Sequence, residues 1–167
     1  MKTKLTKNLF LVIALAAFAG CATSRPTVVV KDSVGPDLAP SRKLVAPAGQ
    51  GQLVVYSALE VVNPVGSDFP THAAYSIFGP DGKLIQRVDN RSGSFYQSPA
   101  TVTLPQGEYT LKVPVANYGL VTVPVVIKEN ETTTLDFNGG HFRQKKPTGA
   151  GQWVRLPSGE VIGMRAP

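Results

Sequence analysis

From residue 51 onward, apolar and polar side chains alternate along the chain with the period of a β-strand. The clearest runs have apolar side chains at every second position: Tyr109, Leu111, Val113 and Val115, then Val121, Val123, Val125 and Ile127, then Leu135 and Phe137. Strict alternation is typical of a strand with one buried face and one solvated face. Earlier strands are predicted at residues 52–61, 72–78, 83–89 and 100–104, and no helix is predicted in this part of the chain.

Short turn sequences separate these runs. Each combines residues that favour tight turns, with proline presetting φ and glycine tolerating positive φ. The turns are Pro80-Asp81-Gly82, Pro105-Gln106-Gly107, Asn117-Tyr118-Gly119 and Glu129-Asn130. About seven short strands separated by such turns predict an all-β fold, a single antiparallel β-sandwich.

Two local patterns refine this expectation. Leu53-Val54-Val55 lacks alternation, which predicts a strand covered on both faces. Pro114 and Pro124 interrupt two alternating runs, and proline cannot donate a hydrogen bond to a neighbouring strand. Their strands are therefore predicted to lie at a sheet edge or to bulge at these positions.

The first twenty residues have the pattern of a secretory signal peptide. Lys2, Lys4 and Lys7 precede an apolar run over residues 9–18, and small residues follow. A basic start, an apolar stretch of about ten residues and a small-residue cleavage site define such a peptide. The apolar run is shorter than the ~18 residues that a membrane-spanning helix needs.

The single cysteine of the chain lies directly after this region. Ala19-Gly20-Cys21 resembles the lipobox of bacterial lipoproteins. The resemblance implies that Cys21 becomes a lipidated N-terminus held at a membrane of the cell envelope, and Ala22 in place of aspartate implies the periplasmic face of the outer membrane. The alternative is ordinary cleavage at the A-x-A sequence Ala17-Phe18-Ala19, which would leave a free thiol.

Residues 21–50 are rich in proline, glycine and alanine and have no helical period. This composition predicts a flexible tether, with a reach of roughly 30 Å from the lipid anchor. Val28-Val29-Val30 remains open to a second interpretation, as a strand that docks on the folded domain.

The segment Leu104-Pro105-Gln106-Gly107-Glu108-Tyr109-Thr110-Leu111-Lys112-Val113 is similar to the L-P-x-G-x-Y-x-L-x-V signature of carboxypeptidase regulatory-like domains. Upstream, Asn90-Arg91-Ser92-Gly93-Ser94-Phe95 is similar to the D-x-x-G-x-F turn of that family, with asparagine in place of aspartate. These domains are transthyretin-like β-sandwiches. The resemblance covers roughly residues 51–138 and implies a topology, while many unrelated functions share such a fold.

Residues 139–167 carry the positive excess of the chain that follows the predicted signal peptide. The formal net charge is +6, but part of it belongs to the signal peptide, so it does not indicate a nucleic-acid partner. Residues 153–156 and 161–165 flank Pro157-Ser158-Gly159-Glu160 and predict a β-hairpin, either joined to the sandwich or separate. Basic and aromatic side chains together suit an anionic glycan such as peptidoglycan. The candidate ligand-binding residues are Arg143, Lys145, Lys146, Trp153 and Arg155. The alternative is a solvated basic linker, with the tryptophan packed on the sandwich.

No catalytic, metal-binding or phosphate-binding motif is present, and no cofactor is expected. His72 is predicted to be a surface or turn residue, and His141 a solvated residue of the tail. The first hypothesis is a non-enzymatic, lipid-anchored envelope protein whose sandwich has a structural role or contacts a protein partner. The second is an anionic-glycan binder, and an unrecognised hydrolase ranks third because a catalytic triad assembles only in space.

Overall fold

The computed structural model describes residues 27–37, 47–62, 66, 69–92, 98–142 and 152–167. Within these ranges the fold is all-β and has no α-helix. The strands are β1 (Thr27–Val29), β2 (Val34–Gly35), β3 (Gln50–Tyr56), β4 (Leu59–Val62), β5 (Phe69–His72), β6 (Tyr75–Phe78), β7 (Leu84–Val88), β8 (Thr101–Pro105), β9 (Gly107–Val115), β10 (Gly119–Ile127), β11 (Thr132–Asp136), β12 (Trp153–Arg155) and β13 (Val161–Arg165).

These strands form three sheets. An eight-stranded sheet, here the large sheet, has the order β12-β13-β2-β10-β9-β6-β7, with β1 also paired to β10. A three-stranded sheet, here the small sheet, has the order β11-β3-β8. Strands β4 and β5 pair only with each other in a two-stranded sheet, here the ribbon.

The predicted alternation is confirmed in the two longest strands, β9 and β10. They pair antiparallel from Gly119 opposite Val115 to Ile127 opposite Gly107. Their predicted apolar positions are buried, whereas the residues between them are exposed or half-buried. The buried side chains of these strands belong to one hydrophobic core together with Leu53 of β3 and Leu104 of β8. The large and the small sheet therefore both contribute buried side chains to one hydrophobic core.

The predicted tether is wrong for residues 27–37. Strand β1 pairs in parallel with β10, from Thr27 opposite Leu120 to Val29 opposite Thr122. Val30 and Val34 are buried in the core, at 7% and 0% exposure. The strand interpretation of this segment is therefore confirmed for Val28 and Val29, which pair with β10. Burial of Val30 and Val34 in the core stabilises the docked segment. Residues 38–46 and 21–26 lie outside the described residues.

The predicted purely antiparallel arrangement is also wrong. Three strand pairs are parallel: β1 with β10, β2 with β10, and β3 with β11. Parallel neighbours need a long connection. Here the paired strands are far apart in sequence, so such connections are available. The sheets are mixed because segments from the beginning of the described chain join strands from its second half.

The two prolines do not mark sheet edges as predicted. Strands β9 and β10 lie in the interior of the large sheet. The Pro114 carbonyl accepts a hydrogen bond from the Ala58 amide, at 3.1 Å, on the side away from β10. Pro124 follows Thr122, the last residue paired to β1, and precedes Val125, which pairs with β2. At each of these two positions, no neighbouring strand requires a hydrogen bond from the proline nitrogen.

Strand β3 differs from its sequence pattern in two ways. Its burial alternates, with Leu53 and Val55 fully buried and Val54 only half-buried, so it is not covered equally on both faces. The single strand predicted over 52–61 is interrupted at Ser57. The Ser57 hydroxyl donates to the Ala73 carbonyl at 2.7 Å, and the chain continues into the ribbon.

The predicted C-terminal hairpin is present and joins the large sheet. Trp153 of β12 pairs with Met164 of β13, and β13 pairs with β2. A Cβ atom on Gly163 would lie 2.5 Å from a methyl group of Val34, so only glycine permits β13 to approach β2 this closely. The hairpin is therefore part of the large sheet and is not a separate unit.

Candidate functional site

Two of the predicted ligand-binding residues lie in the hairpin, and the structure gives them different surroundings. Trp153 is 7% exposed and packs in a small apolar cluster with Phe142 and Met164. Arg155 is exposed, and its Nη1 donates to the Gly159 carbonyl at 2.7 Å. The Trp153 ring is therefore covered by protein, as in the alternative interpretation of this tail, and is not presented to a sugar.

The remaining predicted site residues belong to two other segments of the chain. Arg143, Lys145 and Lys146 lie outside the described residues, as does the predicted lipidation site Cys21. The described chain stops at Phe142 and resumes at Gln152, on either side of the basic run.

The fold brings together the two histidines, which are far apart in sequence. His72 lies edge-on to the Tyr56 ring, with centroids 5.5 Å apart. His141 is stacked on the same ring, with centroids 5.3 Å apart. The predicted surface position of His72 is wrong, since only 4% of the residue is exposed, and His141 is half-buried rather than solvated.

His72 is held by the backbone at the end of β3. Its Nδ1 lies 3.1 Å from the Ser57 carbonyl oxygen. Because a carbonyl oxygen only accepts, Nδ1 is the protonated nitrogen when it makes this bond. The Asn138 side-chain amide donates to the same carbonyl at 2.7 Å. The Ser57 carbonyl therefore connects both β5 and the segment after β11 to the end of β3.

Asp136 organises the segment that carries His141. The residue is completely buried, and its carboxylate accepts hydrogen bonds from the Asn138 amide at 2.8 Å and the His141 amide at 2.7 Å. Bonds of this kind to an ionised acceptor are stronger than those between neutral groups. The carboxylate therefore holds residues 137–142 against the end of the small sheet.

The electrostatics of this cluster oppose an acid–base role for its tyrosine. Burial raises the pKa of Tyr56, and the charges of Asp136 and Asp37 raise it further. A catalytic acid or base works best with a pKa near the operating pH. The pKa of Tyr56 is displaced in the opposite direction, so the hydroxyl stays neutral.

The Ser57 hydroxyl is engaged in hydrogen bonds that connect parts of the fold. Ser57 donates to the Ala73 carbonyl and accepts from the Asn90 side chain at 3.0 Å. A nucleophilic serine instead needs a base within hydrogen-bond reach. Across the described ranges, no group of three or more His, Cys, Asp or Glu side chains is placed to hold a metal ion. The hydrogen bonds of Ser57, His72, Asn138 and Asp136 therefore hold β3, β5 and the segment after β11 together.

Two exposed apolar side chains of the large sheet lie next to each other on its edge strand β7. Leu84 and Ile85 are 57% and 52% exposed, and only Val88 of this strand is buried. Strand β7 pairs with β6 on one side, and it is the terminal strand in the sheet order.

The turn before β7 is stabilised by Asp81, whose carboxylate lies 3.0 Å from the Lys83 ammonium. That contact lowers the pKa of Asp81.

No helix among the residues that the structure describes is long and apolar enough to cross a membrane. Comparison of the chain with protein-family models, with curated proteins and with solved structures finds no match.

Proposed function

We propose that this chain is a non-enzymatic, lipid-anchored protein of the bacterial cell envelope that presents the edge of a β-sandwich to a protein partner. The lipobox resemblance at Cys21 supports the anchor and the periplasmic face of the outer membrane as its place. The sandwich is supported by the core that the large and small sheets share. The Tyr109 hydroxyl also donates to the Pro105 carbonyl at 2.8 Å, a return to the backbone that recurs in sandwich domains.

The observation that carries this proposal is the exposure of strand β7. An edge strand has backbone groups that no neighbouring strand satisfies, and a partner in extended conformation can pair with them. Leu84 and Ile85 add apolar surface on that edge, at 57% and 52% exposure. Edge pairing supplies affinity through the backbone, and the side chains beside it supply specificity.

The alternative proposal is a binder of an anionic envelope glycan through the basic segment. It now rests on Arg143, Lys145, Lys146 and Arg155, because Trp153 is covered by Phe142 and Met164. Binding by such charges alone should be sensitive to salt. The alternative would gain support from sedimentation with cell-wall sacculi that is abolished by high salt or by charge reversal of the three residues in 143–146.

The main proposal is tested by photo-crosslinking in cells. A photoreactive amino acid at Ile85 should give a discrete adduct with one protein, since this position lies on the exposed edge. The matched control is the same amino acid at Thr103, an exposed position of β8 in the small sheet. No adduct at Ile85, or the same adducts from both positions, would count against presentation of the β7 edge.

A further inference from the structure

The ribbon has exposed apolar side chains on one face. Leu59 and Val61 of β4 are 54% and 70% exposed. They lie two residues apart and so point to the same side of the strand. Pro70, the cross-strand neighbour of Val61, is also exposed. His72, the cross-strand neighbour of Leu59, is buried, so the exposed part of this face consists of Leu59, Val61 and Pro70.

The ribbon extends past one end of the large sheet. Strand β5 continues through residues 73–74 into β6, which pairs antiparallel with β9 from Ser76 opposite Lys112 to Phe78 opposite Thr110. Strand β6 therefore runs from the Pro114 level of β9 toward the Thr110 level. The ribbon precedes β6 and lies beyond the Pro114 level, at the end of the sheet where β10 begins.

The N-terminal part of the chain arrives at the same end. Strand β1 runs parallel to β10, with Thr27 opposite Leu120, and Leu120 lies opposite Pro114. The Ala58 amide donates to the Pro114 carbonyl at the base of the ribbon. Three strand spacings of about 4.8 Å place Ala58 about 15 Å from Thr27.

The distance from Thr27 to the proposed anchor is short. Five residues, 22–26, separate Cys21 from Thr27. Six residue steps span at most about 20 Å when fully extended. A lipid on Cys21 would therefore hold this end of the domain close to the bilayer, in contrast to the reach expected from a tether of thirty residues.

We propose that the exposed face of the ribbon, formed by Leu59, Val61 and Pro70, rests on the lipid surface beside the acylated N-terminus and sets the orientation of the domain. This inference depends on the lipid anchor of the proposed function. Apolar side chains at a bilayer interface gain from leaving water, and an anchored chain meets that interface at high local concentration. Leu84 would then lie at the end of β7 farther from the membrane, because it pairs with Phe78 near the Thr110 level, whereas Val88 pairs with Tyr75 nearer the ribbon.

The test uses the chain from Cys21 onward, coupled through its thiol to a maleimide phospholipid in phosphatidylcholine vesicles. Fluorescence of a Leu59→Trp variant is compared in vesicles with and without brominated acyl chains, which quench tryptophan on contact. Insertion of the ribbon should remove about half of the added fluorescence. The matched control is Leu84→Trp, because Leu84 has nearly the same exposure, 57% against 54%, and lies near the opposite end. Trp153 contributes the same buried background to both variants.

Quenching of Leu59→Trp alone supports the inference, and a Val61→Trp variant should repeat it. Equal quenching of both variants, or none in either, would overturn it. Both sites are exposed, so folding is retained and can be checked by thermal melting. Since the anchor is attached chemically, the result does not depend on lipidation in the cell. A chain that is lipidated in cells but shows no ribbon quenching would overturn this inference and leave the proposed function standing.

Discussion

Replacing Asn90 by aspartate is expected to destabilise the protein by about 3–5 kcal/mol at neutral pH. The Asn90 side chain is completely buried. Its amide nitrogen donates to the Val55 carbonyl at 2.7 Å and to the Ser57 hydroxyl at 3.0 Å, and its oxygen accepts from the Ala100 amide at 2.9 Å. A carboxylate keeps the acceptor and loses both donors, so it would place a negative charge against the Val55 carbonyl. Urea unfolding measures the loss.

The Asn90→Asp defect should also depend on pH. Burial and the facing carbonyl raise the pKa of the introduced carboxyl in the folded state above its unfolded value. Folding then takes up a proton, so stability falls as pH rises from the unfolded pKa, about 3.9, through the folded pKa. The defect should shrink in acid. Gln86→Glu also converts an amide into a carboxylate, at an exposed position of β7, and should alter stability by less than about 0.5 kcal/mol. Equal effects at both positions would contradict the assigned hydrogen bonds.

Replacing Asp136 by alanine is expected to cost about 2–4 kcal/mol and to release the segment over residues 137–142. The partly buried backbone amides of Asn138 and His141 would lose their acceptor. Because Phe142 packs on Trp153 at a centroid distance of 5.5 Å, loosening of this segment should shift the tryptophan emission to longer wavelength and increase its quenching by acrylamide.

Two further substitutions control for charge. Asp136→Asn retains one oxygen acceptor but turns a donor toward a backbone amide, so it should be intermediate or as severe as alanine. Asp89→Asn removes the same charge from a carboxylate that is 76% exposed and paired with Arg91. It should change stability by less than about 1 kcal/mol and leave the tryptophan emission unchanged. Unaltered emission in Asp136→Ala would show that the buried carboxylate does not hold this segment.

Local periodicity predicted the strands that dominate the sheet, because alternation over several residues is visible within one segment. The runs at residues 109–115 and 121–127 match β9 and β10, and the turn glycines Gly82 and Gly119 have the positive φ expected of them, at 75° and 72°. Strand β1 was only the second interpretation of Val28-Val29-Val30, and β2 was not predicted. Each has only two or three residues, and its burial depends on β10, about ninety residues later.

The polar cluster could not be predicted from local sequence either. His72 and His141 come close only because both pack against the Tyr56 ring, and no spacing rule connects these positions. Asn90 drew attention only through the resemblance of residues 90–95 to a D-x-x-G-x-F turn, and no local pattern predicted its burial. Its side-chain nitrogen donates hydrogen bonds to the Val55 carbonyl and the Ser57 hydroxyl, which an aspartate carboxylate could not do.

Lipid anchoring in the cell envelope can be measured by mass spectrometry of the mature N-terminus after expression in a Gram-negative bacterium. We expect the chain to begin at Cys21 and to carry the mass of a diacylglyceryl group with or without an amide-linked acyl chain. Cys21→Ser should abolish both the acylation and the cleavage before residue 21. A mature chain that begins at Gly20 with a free Cys21 thiol would contradict lipid anchoring.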